Sequence, residues 1–238
     1  MKVAVVGIEK SALEREVSRR GFSLDKLKPD IVISYGGDGS ALIAEQLYPG
    51  IPRLAIKHSR TCEKCSVGGL HNFSSILFAL SEKKYKISKA TKLEGVVNGD
   101  RRKMLVGLNE INVAHAVPIR AVRFDVHVDG NKIAEDLIGD GLITATTYGS
   151  TAYFKSITGR SFSSGIGLAF NNVNKNIKFK LVPEGSEVKV KVNRGPALMC
   201  ADNNTTMIPL KDGDVVTIRK SKDVAHLIEI DGEGKISI

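Results

Sequence analysis

Tryptophan is absent from this 238-residue chain, and aromatic residues make up only 5% of it. Proteins that hold single-stranded nucleic acid stack its bases on aromatic side chains, so that class of surface is poorly supplied. There are three cysteines, an odd number, which argues against a disulfide framework. Cys62-Glu63-Lys64-Cys65 is a lone CxxC. His58 and Cys200 could complete a zinc set with it, but no second CxxC supports one. Plain reduced thiols are expected, and no residue is assigned as a metal ligand. Long apolar runs are missing too. None approaches the ~20 residues that span a bilayer. The opening Met1-Lys2-Val3-Ala4-Val5-Val6-Gly7 has too short an apolar run for a signal peptide. No membrane partner is expected, and the expected compartment is the cytoplasm.

Hydrophobic residues form 42% of the chain, enough for a real core, and charged residues 26%. The formal net charge is +9. Such a balance suits either an anionic partner or a solvated lysine-rich surface. The basic residues are spread in short pieces, such as Lys83-Lys84-Tyr85-Lys86 and Lys175 to Lys180, and form no tail. The solvated surface is preferred, with a local excess of positive charge around a phosphate site. A basic nucleic-acid-binding module would need clustered aromatics beside its cations, so no nucleic-acid partner is expected.

The stretch Asp30 to Leu47 organises the first half. Ile31-Val32-Ile33 suits a buried strand, Gly36-Gly37-Asp38-Gly39-Ser40 breaks it, and Ala41 to Leu47 suits a helix. A glycine-rich turn between strand and helix offers backbone N–H groups at a positive helix end, a place for phosphate. Asp38 is the odd residue there. A carboxylate repels phosphate unless a cation or a reacting hydroxyl lies between, so the turn suggests phosphate chemistry rather than phosphate storage. Before it, Lys2 to Gly7 reads as a strand. Ser11 and Glu14 have capping-box spacing for a helix carrying Leu13 and Val17 and stopped by Gly21. After it, Arg53-Leu54-Ala55-Ile56 reads as a strand emptying into a polar loop. Phe73, Ile76, Leu77 and Leu80 then form a helical apolar stripe. This alternation predicts an α/β domain with a parallel sheet over 1–88.

The pattern changes near residue 88. Asn98-Gly99 joins two short strands as a hairpin, Phe124, Val126 and Val128 alternate up to Asp129-Gly130, and Val188 to Val192 alternates with period two. A β-rich, sandwich-like domain is expected over 89–221, with the tail 222–238 a candidate to return to the first domain.

Three stretches there carry polar chemistry. Asn109-Glu110 displays an amide and a carboxylate together, suited to a base edge and ribose hydroxyls; the alternative is a polar pair on an edge strand. Gly139 to Tyr153 packs Gly, Ser and Thr densely, letting backbone approach a ligand closely. In Cys200-Ala201-Asp202-Asn203-Asn204 a plain polar turn is preferred.

Taken in order, Gly36-Gly37-Asp38-Gly39, Asn109-Glu110, Asp140-Gly141-Leu142-Ile143 and Gly149-Ser150-Thr151-Ala152-Tyr153 resemble the NAD kinase family. The first motif is shared with other kinases, and the last, with Asp140 upstream, is the specific one. The resemblance is firm over 30–156. It implies a two-domain fold, an α/β domain followed by a β-rich one. It implies transfer of a phosphoryl group from ATP or polyphosphate, with a divalent cation such as Mg²⁺, to the 2′-hydroxyl of the adenosine ribose of NAD. Carried residue by residue, it makes Asp38 the base or hydroxyl-orienting group. Gly36, Gly37, Gly39 and Ser40 then shape the phosphate turn, and Asn109 and Glu110 hold adenosine. Asp140, Ser150, Thr151, Ala152 and Tyr153 line the dinucleotide site. It also implies a homo-oligomer, a dimer or tetramer, because the residue matching Asp140 can act across a subunit interface.

The chain departs from the family pattern in places. Ser40 stands for the usual threonine, and Tyr148 for proline or serine. The loop His58 to Cys65 lacks the usual Gly-Phe-Leu. The run Phe154 to Asn174 lacks Gly-Gly and Pro-His segments, and Asp202-Asn203 stands where Asp-Gly is common. With these departures, the chain resembles an outlying, archaeal-like branch of the family. The competing readings are a lipid or sugar kinase sharing the Gly-Gly-Asp-Gly turn, and a non-catalytic nucleotide sensor or RNA-binding module.

Overall fold

The computed structural model describes residues 1–8, 10–57, 65, 67–68 and 73–230. The chain divides into two compact units, Met1–Ala90 with Val224–Ile238, and Thr91–Asp223.

The first unit runs β1 (Lys2–Gly7), α1 (Lys10–Arg19), β2 (Ser23–Leu24), β3 (Ile31–Gly36), α2 (Asp38–Leu47), β4 (Arg53–Lys57), β5 (Val67–Gly68) and α3 (Phe73–Ser81). β1 pairs in parallel with β2 and β3, and β3 with β4. On its other side β4 meets the last strand of the chain, where Arg53 is opposite Leu227, also in parallel. Helical crossovers make such parallel pairing possible. Alternation along the strands then sorts side chains into two layers. Val3, Val5, Ile31, Ile33, Leu54 and Ile56 share a core with Leu13 and Val17 of α1 and with Phe73, Ile76, Leu77 and Leu80 of α3. Ala4, Val6 and Val32 face the other way, against Ala44 of α2.

Two boundaries differ from those read in the sequence. α1 starts at Lys10, so Ser11 lies inside the helix rather than capping it. β3 runs on to Gly36 and α2 starts at Asp38, so the glycine motif is a strand end joined directly to a first helical turn. Glycine makes so abrupt a junction possible. Gly36 sits at φ +151°, which side chains rarely tolerate.

α2 is fixed from behind. Glu45 accepts a hydrogen bond from Arg53 Nη1 of β4 at 2.9 Å, with side chains only 5% and 1% exposed, and also accepts the Gly50 N–H. A buried guanidinium that loses its counter-charge is costly. Glu45→Gln is therefore expected to lower stability by about 3 kcal/mol, read as a drop in the urea midpoint. A midpoint unchanged from that of the parent protein would show that this pair does not anchor the helix.

Leading into and through the second unit come β6 (Tyr85–Val97), β7 (Asp100–Gly107), β8 (Glu110–His115), β9 (Val122–Val128), β10 (Asn131–Gly139) and β11 (Gly141–Ala145). A 3-10 turn (Tyr148–Thr151) and α4 (Tyr153–Thr158) follow. The chain then continues as β12 (Ile166–Asn171), β13 (Phe179–Val182), β14 (Val188–Arg194), β15 (Ala197–Ala201), β16 (Ile208–Leu210) and β17 (Val215–Ile230). One antiparallel sheet has the order β13-β12-β11-β8-β15-β16. The other contains β10, β9, β14 and the first part of β17, also antiparallel. Alternate residues of both face a shared core. Phe124, Val126, Val190 and Ile218 come from one sheet, and Ile111, Val113, Leu142, Leu168 and Met199 from the other. That is a sandwich, as the period-two runs predict. The outer face of the six-stranded sheet is covered in part by α4, whose Phe154 packs with Ile143, Ala145 and Ala169.

No helix among the described residues is long and apolar enough to cross a membrane.

Candidate active site

The expected site residues fall into three places. Gly36, Gly37, Asp38, Gly39 and Ser40 form the junction of β3 and α2. A Cβ on Gly36 would strike the Ser40 side chain, so glycine is what lets the Ser40 hydroxyl lie beneath the strand end. Gly37 is extended and caps the helix with its carbonyl, which accepts the Ser40 N–H at 3.1 Å and the Ala41 N–H at 3.3 Å. Asp38 is the first helical residue and only partly buried. A carboxylate there is stabilised by the positive helix end. The register also puts Lys57, the last residue of β4, opposite Gly36. Without the strand register, the sequence does not distinguish this lysine from the others.

The second place is the start of β8. β8 is central, paired with β11 and β15, so Asn109-Glu110 is not an edge-strand pair. Asn109 and Glu110 are 4% and 6% exposed. Their backbone is held by Asp202, which the sequence alone places in a plain polar turn. Its Oδ2 accepts the Leu108 N–H at 2.8 Å, and its Oδ1 accepts the N–H groups of Asn109 at 2.7 Å and Glu110 at 3.1 Å. The Asp202 N–H returns to the Glu110 carbonyl at 3.2 Å. Charge-assisted bonds of this kind are about twice as strong as neutral ones. Asp202 sits at φ +48°, a left-handed conformation that Asp and Asn accept more readily than most.

The glycine and hydroxyl stretch closes on the same point. Gly149 lies so near the Asn109 backbone that a Cβ would overlap it. Thr146, a buried hydroxyl of that stretch, donates to the Leu108 carbonyl at 2.6 Å and accepts the Gly149 N–H at 2.9 Å. Its own N–H donates to the Asn109 carbonyl at 2.8 Å. Ser150 is buried, and Thr151 and Ala152 are partly exposed. The structure therefore brings together Asn109, Glu110, Ser150, Thr151 and Ala152. Across β8, Cys200 is opposite Asn112. Burial raises the Cys200 thiol pKa and the Glu110 charge adds to this, while a hydrogen bond with Asn112 opposes it. Cys200 is a free thiol.

Asp140 is in a third place. It precedes β11 at the end next to His115, whereas Glu110 is opposite Ala145 at the other end. The five strand steps from Glu110 to His115 amount to about 16 Å. Within one chain Asp140 does not join the Asn109 cluster, contrary to a single compact site. Tyr153 stands between. It starts α4, and its hydroxyl accepts a hydrogen bond from Asn171, which is opposite Gly141.

Of the CxxC stretch, only Cys65 is described, and it is disulfide-bonded rather than the reduced thiol expected. His58, Cys62 and Lys64 lie outside the described residues. Among the described residues no group of three or more His, Cys, Asp and Glu could hold a metal ion. A shallow hollow of about 490 Å³ on α1, lined by residues such as Ser11, Arg15 and Leu24, contains none of the expected site residues.

Residues 108–230, which contain both second-unit clusters, match the family described as ATP-NAD kinase C-terminal domain. The chain belongs to the NAD kinase family. An NAD kinase of Thermoplasma volcanium is 30% identical to it over 223 residues, covering 87% of this chain and 76% of that protein. A bifunctional NADP phosphatase/NAD kinase of Methanococcus maripaludis is 31% identical over 221 residues, covering 84% of this chain, which spans only 36% of that longer protein. In fold, the chain resembles the crystal structure of an NAD kinase from Archaeoglobus fulgidus in complex with ATP. The TM-score is 0.81 at 22% identity, with 97% of this chain and 94% of that one covered. Archaeal relatives at modest identity agree with the outlying, archaeal-like character read from the motif departures.

Proposed function

We propose that the chain is an NAD kinase, transferring the terminal phosphoryl group of ATP to the 2′-hydroxyl of the adenosine ribose of NAD to give NADP. The observation that carries this reading is the braced Asn109-Glu110 pair. An amide and a carboxylate side by side can hydrogen-bond a nucleoside, and here Asp202, Thr146 and Gly149 fix the backbone that carries them.

In the reaction the ribose oxygen bonds to the γ-phosphorus, the bond from that phosphorus to the ADP oxygen breaks, and the hydroxyl proton leaves. Asp38 accepts that proton, a contribution typically of about 10²–10⁴-fold. Gly37, Gly39 and Ser40 shape the turn that receives donor phosphate at the α2 N-terminus. Asn109 and Glu110 hold the adenosine half of NAD, with Ser150, Thr151 and Ala152 beside them. Tyr153 and Asp140 serve a more distant part of the dinucleotide. Their separation from Glu110 supports the proposal that Asp140 works across a subunit boundary in a homo-oligomer, a dimer or tetramer. A divalent cation, Mg²⁺ by chemistry, would be held through the donor phosphates at the head of α2, since Mg²⁺ keeps several waters and is commonly bound through substrate phosphates. When bound it neutralises phosphate charge. Polyphosphate as an alternative donor and a cytoplasmic setting belong to the same proposal.

The test is incubation with ATP, Mg²⁺ and NAD, with NADP read by an NADP-specific dehydrogenase. NADP formation supports the assignment. No NADP from ATP or from polyphosphate, with phosphate passing instead to a lipid or sugar, overturns it.

A further inference from the structure

The stretch after Tyr153 lacks the segments usual in the family, and it ends in Asn171-Asn172-Val173-Asn174. In the structure this short run holds the bend that carries Asp140. The Asn171 carbonyl accepts the Asp140 N–H at 3.0 Å, and the Asn174 N–H donates to the Ile138 carbonyl at 2.8 Å. Asn174 Oδ1 accepts the Ile138 N–H at 2.9 Å. The approach is close enough that a Cβ on Gly139 would come within 2.6 Å of the Asn172 carbonyl oxygen and 2.8 Å of Val173 Cα.

The two neighbouring asparagines then diverge. Asn171 ends β12, where the pleat puts it on the same face as Ala169, the face packed by α4. Its Nδ2 donates to the Tyr153 hydroxyl at 3.1 Å. Asn172 has φ +49°, and its Nδ2 donates to Asp140 Oδ2 at 3.3 Å. From the opposite side, the His115 N–H donates to the Asp140 carbonyl at 2.9 Å, and His115 Nδ1 lies 3.4 Å from Asp140 Oδ1. The Asp140 carboxylate thus accepts a hydrogen bond at Oδ2 and has His115 beside Oδ1, yet its side chain remains 33% exposed. Tyr153 is 41% exposed. Two side chains each restrained by a neighbour but still open to solvent are suited to receive a ligand.

We infer that Asn171 and Asn172 are positioning residues of the acceptor site. Asn172 sets the Asp140 carboxylate, and Asn171 sets the Tyr153 hydroxyl, so that one dipeptide aligns both groups toward a hydroxyl-rich part of the dinucleotide. This rests on the NAD kinase reading and extends it to residues in the stretch where this chain departs from the family pattern.

Asn172→Gly is the informative variant, because glycine keeps the left-handed backbone and removes only the amide. Loss of a hydrogen bond to a charged group is expected to weaken NAD binding about tenfold, by calorimetry without ATP and as a rise in KM for NAD. The KM for ATP and the thermal midpoint should move little, a split that general loosening would not give. Asp140→Asn supplies the second arm. If Asn172 acts through Asp140, Asn172→Gly adds no further loss of NAD affinity in that background. Asn171→Ala should likewise weaken NAD binding, and less so once Tyr153 is Phe. Unchanged NAD affinity in Asn172→Gly, full additivity with Asp140→Asn, or an equal rise in both KM values would overturn the inference. A parent protein that makes no NADP and binds no NAD would instead overturn the function on which it rests.

Discussion

Asp38→Asn is expected to cut NADP formation by about a thousandfold, within the range a positioned general base contributes, while NAD binding stays within a few-fold of the parent protein. The substitution is nearly isosteric. It leaves Asp38's position at the head of α2, the glycines and the Ser40 contact untouched. What it removes is the negative oxygen that takes the ribose proton as the new phosphate ester forms. A charged group at a helix N-terminus also contributes a little to stability, about 0.3–1 kcal/mol, so a small fall in thermal midpoint should accompany the kinetic loss. The two effects separate cleanly, because a minor stability change cannot account for three orders of magnitude in turnover. Turnover within tenfold of the parent would remove Asp38 from the base role and leave it as a helix-end or cation-holding group.

Asp202→Ala is expected to lower NAD affinity by a hundredfold or more without Asp202 itself touching the nucleotide. Its carboxylate accepts the N–H groups of Leu108, Asn109 and Glu110. Alanine leaves those donors without that carboxylate beside a half-buried turn. Hydrogen bonds to charged groups contribute roughly 1.5–3 kcal/mol each. Partial access of water offsets part of that, and a stability loss of about 4 kcal/mol is a reasonable expectation. The conservative variant Asp202→Asn should recover much of the stability, since its amide oxygen can still accept, and recover NAD binding in step. Amide exchange at Asn109 and Glu110 reports the same event directly, speeding up in the alanine variant. Wild-type NAD affinity in Asp202→Ala would show that the pair needs no such support.

Much of the fold was legible because burial writes a period into the chain. Val3 to Val6, Ile31 to Ile33 and Leu54 to Ile56 are continuous apolar runs, as strands covered on both faces must be. Val188 to Val192 alternates because only one face of β14 meets the sandwich core. The motif residues were legible for a different reason. Glycines at Gly36 and Gly149 mark places where a Cβ would collide with Ser40 or the Asn109 backbone, and that constraint is local enough to leave a signature. What stayed hidden depends on strands far apart in sequence. Asp202 reaches residues more than 90 positions away, and nothing in Cys200 to Asn204 indicates its partners. Lys57 acquires its interest only from being opposite Gly36. The distance between Asp140 and Glu110 follows from antiparallel register, which runs Gly141 toward Ala114 and Ala145 toward Glu110. Ser11 does not cap because the helix starts at Lys10, two residues before the Ala12 start that a capping box would give.

The central claim is that the acceptor is one particular hydroxyl. It is tested most directly by following labelled γ-phosphate from ATP, with Mg²⁺ present, into NAD and in parallel into its 2′-deoxyadenosine analogue. An NAD kinase places the label on NAD as a 2′-phosphate, identified by phosphorus NMR of the product, and leaves the deoxy analogue unlabelled. Label entering the deoxy analogue as readily, or entering neither dinucleotide while ATP is consumed, would contradict it.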